Sequence, residues 1–166
     1  MRGWRWSFFG GKRASDNLVP APALHRRDRA LEDAIRRDLI ALHFQPQIEP
    51  ASGRVVGVEA LARWSEAEDP ESLFARAEAA GLAERLSRAI QRKALRIASS
   101  WRGPLASLRL SINLLPSDLD RPGYAEWLLE EIRAADLSPE RITAEIVESS
   151  LMANEPQVAA RLNRLR

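Results

Sequence analysis

The chain has no cysteine, which excludes disulfides, zinc–thiolate sites and cysteine nucleophiles and leaves any metal to oxygen ligands or to His25 and His43. It has no apolar run approaching the roughly 20 residues of a membrane-spanning helix. Its first eleven residues also lack the long apolar core of a secretory signal, so a soluble, cytoplasmic protein is the default expectation. Lysine is scarce. Arginine supplies nearly all the positive charge, which lifts the pI to about 9.6 although the net charge is only +2; no nucleic-acid partner follows from that pI alone. The charge is also uneven, with seven Lys or Arg against Asp16 and Asp28 in residues 1–29. The remainder is mildly acidic, which suits a cation site.

The 166 residues, 45% of them hydrophobic, suffice for one core and are too few for two comfortable domains. Residues 1–28 hold Gly10-Gly11, Pro20 and Pro22 without helical or alternating period and read as a flexible leader. Trp4, Trp6, Phe8 and Phe9 with Arg2 and Arg5 give its tip the composition to touch an anionic membrane or a partner. The competing reading is a tail without specific contacts.

From Ala30, Leu31, Ile35, Leu39 and Leu42 recur at helical spacing. Residues 43–49 then alternate as a short strand, Pro50-Ala51-Ser52-Gly53 supplies a turn, and residues 54–64 form a second strand, giving a hairpin. Pro70-Glu71 opens a helix with Leu73, Phe74 and Ala77 inward, ending at Gly81. A longer helix carries Leu86, Ile90, Ala94, Ile97 and Trp101 on one stripe until Gly103-Pro104 breaks it. Residues 105–114 read as a strand whose Leu/Ile content predicts burial on both faces, as in a parallel sheet. A crossover helix over 124–135 and a strand over 142–147 follow, and Asn154 caps a helix with Val158, Leu162 and Leu165. The order β-β-α-α-β-α-β-α predicts an α/β protein, either a (β/α) barrel or a doubly wound sheet.

Glu59, Asn113 and Glu145 each lie at or near the C-terminal end of a predicted strand, and in a barrel those ends converge on one mouth. Carboxylate and amide oxygens suit a hard cation such as Mg²⁺ or Mn²⁺, and the Arg63 guanidinium could serve a phosphodiester oxygen. Singly, each has a plainer reading: a solvated strand end for the glutamates, a turn-former for Asn113, a surface charge for Arg63.

Phe44-Gln45-Pro46, Val58-Glu59-Ala60-Leu61-Ala62-Arg63-Trp64, Ser111-Ile112-Asn113-Leu114 and Glu145-Ile146-Val147-Glu148-Ser149, in this order, resemble the EAL domain, the family of cyclic di-GMP phosphodiesterases. The resemblance runs from about residue 30 to 166. It implies a TIM-like (β/α) barrel, here partial, whose first strand is antiparallel to the others. It implies Glu59, Asn113 and Glu145 as metal ligands, with Glu59 at the catalytic centre, and Gln45, Leu61 and Arg63 on the nucleotide side. Glu148 resembles the residue that steadies a loop from the next strand. Such enzymes use two neighbouring metals to activate water against a phosphodiester, and the paired aspartates, lysine and later glutamate they employ would follow residue 166. The connection over 65–70 is shorter than the family's and lacks its histidine-proline turn.

Three readings result. In the first, residues 29–166 are the N-terminal part of an EAL-like domain, truncated and not catalytic alone, with the edge of the strand over 142–147 exposed to a homo-oligomer or protein partner. The second is an active metal-dependent phosphodiesterase completed by another segment. The third is a non-enzymatic, helix-rich interaction module tethered to membrane by its leader.

Overall fold

The computed structural model describes residues 5–9 and 27–147. Five strands form one sheet, ordered β1-β5-β4-β3-β2. The expected hairpin is β2 (Ala41–Ile48) paired antiparallel with β3 (Val55–Arg63). Gly53 turns it with φ of +68°, a left-handed conformation that costs glycine nothing. β3, β4 (Arg109–Leu114) and β5 (Ile142–Val147) run parallel. The result is a partial α/β barrel wall with its first hairpin strand antiparallel to the rest.

Local chemistry sets the helices. Asp28 caps α1 (Arg29–Arg36) by accepting the Leu31 N–H at 3.0 Å. Asp69 and Ser72 form a capping box at the start of α2 (Pro70–Ala79), with Pro70 in the first turn, where its missing N–H has no cost. Gly81, at φ of +69°, ends that segment as expected. α3 (Ala83–Ser99) is the long amphipathic helix, and α4 (Pro116–Leu119) and α5 (Tyr124–Ala134) follow β4.

The main core lies on one face of the sheet. Val58, Ala60, Leu110, Ile112, Leu114, Ile142, Ala144 and Ile146 pack against α3 and α5. Phe44 projects to the same side and meets Trp101 edge-on, ring centres 5.8 Å apart. A second cluster, built on Leu31, Ala62, Trp64, Leu73 and Leu86, sits under α1 and α2.

Several expectations need correction. The strand expected over 105–114 begins only at Arg109. Pro104 instead starts a 3₁₀ turn over Gly103–Ser107 and leaves Leu105 exposed. β4 is buried on both faces over residues 110–112, as expected, but its two faces differ in polarity: Leu110, Ile112 and Leu114 meet the helices, while Ser111 and Asn113 take the other face. α1 is shorter than its apolar spacing predicts, because the chain leaves the helix at Asp38 (φ +56°); Leu39 is exposed and Ile40 is buried in its place. The edge of β5, expected to stand open, is paired in parallel with β1 (Arg5–Phe9) from the leader, which satisfies backbone groups an edge would otherwise leave exposed. The rest of the leader and the helix expected after Asn154 lie outside the described residues. Among the described residues no helix is long and apolar enough to cross a membrane.

Candidate functional site

Because side chains alternate across a strand, the face of the sheet opposite the helices collects the odd-numbered residues of each central strand. Register aligns them: Gln45 opposite Glu59, Glu59 beside Ser111, and Asn113 beside Glu145. Three strands therefore bring the three expected ligands to one polar surface.

Two hydrogen-bonded groups occupy it. Asn113 Nδ2 donates to Glu59 Oε1 at 2.9 Å. That bond uses the donor end of the amide, so the amide oxygen is the atom available to a cation. Gln47 Nε2 donates to Glu145 Oε1 at 2.9 Å and to Ser111 Oγ at 3.0 Å, and the Ser111 hydroxyl lies 3.2 Å from Gln47 Oε1. Glu145 is only 4% exposed. Burial pushes its carboxyl above the usual range and the charge of Glu59 pushes the same way, while hydrogen bonds from Ser111 and Gln47 partly offset the rise. Gly57, opposite Gln47 in register, makes room: a Cβ there would lie 3.0 Å from both Gln47 Oε1 and the Arg109 carbonyl oxygen.

The other expected residues stand differently. Gln45 is exposed on β2 across from Glu59. Leu61 is half-buried opposite His43. Arg63, at the C-terminal end of β3, donates through Nη1 to the Ala62 carbonyl at 2.8 Å, and its charge helps lower the pKa of Asp69, after the dominant backbone and side-chain bonds from Ser72. Glu148 and His25 lie outside the described residues. Among those described, no three His, Cys, Asp or Glu side chains gather to hold a metal by themselves; of the three expected ligands on this surface, two are carboxylates and one is an amide. Sequence reading missed Gln47 and the role of Ser111. The signal was present, since each lies two residues from a residue already singled out, Gln45 and Asn113, and period two puts them on the same face.

The EAL domain model matches residues 28–166. An uncharacterized signaling protein of Caulobacter vibrioides is 33% identical over 159 residues, 93% of this chain and 19% of the relative. The cyclic di-GMP phosphodiesterase NbdA of Pseudomonas aeruginosa is 30% identical over 154 residues, 90% of this chain and 20% of the relative. The chain thus spans about a fifth of the length of these curated relatives. Among solved structures, the PaMucR phosphodiesterase in complex with c-di-GMP superposes with a TM-score of 0.73 at 26% identity, covering 81% of this chain and 57% of that one. With its hairpin-led barrel wall, its polar strand face and a family match over most of its length, the chain belongs to the EAL domain family.

Proposed function

We propose that this polar face binds one divalent cation, Mg²⁺ or Mn²⁺, through Glu59, Asn113 and Glu145, and through it a phosphate of cyclic di-GMP, with Gln45, Leu61 and Arg63 on the nucleotide side. The observation that carries this reading is the pairing of two carboxylates on one surface, one of them buried. Holding Glu145 out of water within reach of the Glu59 charge is unfavourable, as its raised pKa records, and a hard cation between oxygen ligands would reverse that penalty. The metal would supply Lewis-acid polarisation of a phosphodiester. Gln47 and Ser111 would keep the Glu145 carboxylate turned toward the ion.

On this reading the face binds nucleotide and does not cleave it unaided. Turnover needs a second ligand set and a proton-transfer group. A cytoplasmic setting goes with this reading. The test is equilibrium binding of cyclic di-GMP to the full chain with Mn²⁺ or with EDTA, the solution then being assayed for the linear dinucleotide. Metal-dependent binding that Glu59→Ala abolishes, without cleavage, is the expected outcome. Equal binding in EDTA, or none by folded protein, would overturn the proposal, and release of the linear product would establish an active phosphodiesterase instead.

A further inference from the structure

Directly behind Asn113, on the helix side of the sheet, lies a group of buried polar side chains. Ser87 and Gln91 of α3, Asp118 of α4 and Tyr124 of α5 are each 2% exposed or less. The Tyr124 hydroxyl donates to Gln91 Oε1 at 2.9 Å. Gln91 Nε2 donates to Ser87 Oγ at 3.0 Å and to the backbone carbonyl of Asn113 at 3.3 Å. Ser87 donates in turn to Asp118 Oδ2 at 2.5 Å, and that oxygen also accepts the Leu115 N–H at 3.1 Å. Asp118 Oδ1 pairs with Arg121, which reaches Glu84 at 3.3 Å. Burial and the nearby Asp118 charge push the Tyr124 phenol far above its ordinary pKa, so it stays a donor.

A buried carboxylate is costly unless paired and fully bonded, and an apolar core of the same volume is often at least as stable. What the polar version adds is direction. Its two backbone contacts are the carbonyl of residue 113 and the N–H of residue 115, at the point where β4 leaves the sheet; Leu114 is the last β4 residue in register with β5. Leu114 itself is anchored in the core between them. The backbone carrying the Asn113 side chain is thus held on both sides, and from behind, while its amide faces Glu59.

We infer that Gln91 and Asp118 are positioning residues that fix the end of β4 so that the Asn113 amide is held against Glu59. The importance of that placement rests on the reading of Asn113 as a metal ligand, but the placement can be measured without metal. In ¹⁵N-labelled full chain, the Asn113 side-chain amide protons should exchange slowly with solvent in the wild type. Exchange should be at least tenfold faster in Asp118→Ala, faster to a smaller degree in Tyr124→Phe, and unchanged in Ile132→Val, a control that loosens the same core but removes no hydrogen bond of the polar group. Should Asp118→Ala fail to fold, Tyr124→Phe, which removes one hydroxyl, decides the matter. Mn²⁺ affinity measured on the same samples should fall at least tenfold in Asp118→Ala and stay level in the control. Unchanged Asn113 exchange in the folded variants, or equal acceleration in Ile132→Val, would overturn the inference. Absence of Mn²⁺ binding in the wild type would instead count against the proposed function and leave the exchange result to decide this one.

Discussion

The two faces of the sheet are made by the same strands and do opposite work. On the helix side, Leu110, Ile112, Leu114, Ile142, Ala144 and Ile146 are almost wholly buried against α3 and α5. One residue away along each strand, Ser111, Asn113 and Glu145 form a bonded polar surface with Gln47 and Glu59. Stability comes from the first set, since burying a large aliphatic side chain is worth about 1.5–3 kcal/mol. The second contains a buried, raised-pKa carboxylate that opposes folding at neutral pH. A period of two lets a strand keep the two tasks separate.

Substitutions on each face should expose this division. Ile112→Ala opens a cavity on the apolar face and should cost roughly 2–5 kcal/mol in urea unfolding, while the molecules that remain folded keep their affinity for Mn²⁺. Gly57→Ala puts a methyl group on the polar face against Gln47 and the Arg109 carbonyl. Overpacking of this kind costs roughly 1–3 kcal/mol, and here it should also displace Gln47 from Glu145, weakening metal binding more than the stability loss explains.

Glu145→Gln should give the smallest change, and one of opposite sign. Because the folded-state pKa of Glu145 is raised, the native protein holds its proton more tightly than the unfolded chain does. The stabilisation from that proton is complete below the unfolded pKa and is lost as pH rises through the folded value. In metal-free protein, Glu145→Gln should therefore raise the melting temperature at neutral pH and flatten its fall from acid to neutral pH, while weakening Mn²⁺ binding. A melting temperature that drops in the variant would mean that the charged form of Glu145 is stabilising.

Glu59, Asn113 and Glu145 were legible in sequence because each is a polar residue in or beside an apolar run, and register then brings them to one face; Glu59, expected near a strand end, instead sits at the middle of β3, which runs on to Arg63. Gln47 was less so: period two sets it on the same face as Gln45, but its bond to Glu145, 98 positions away, is a long-range contact that local pattern does not encode. Asp118 and Gln91 were not legible at all. A buried polar network depends on contacts between α3, α4 and α5 that no local pattern encodes. The late start of β4 and the early end of α1 show the same limit: Pro104 and the left-handed Asp38 override an apolar spacing that would have carried each element further. Pairing of Arg5–Phe9 with β5 is likewise a long-range event, and composition alone marks that segment as a flexible leader with an aromatic, basic tip.

The most direct test of the proposed metal site is a Mn²⁺ titration of the full chain followed by electron paramagnetic resonance, wild type beside Glu59→Gln. One Mn²⁺ per wild-type chain, with affinity at least tenfold lower in the folded variant, is the predicted result. Identical binding by the two proteins, or no binding by the folded wild type, would contradict the assignment of Glu59, Asn113 and Glu145 as a metal site.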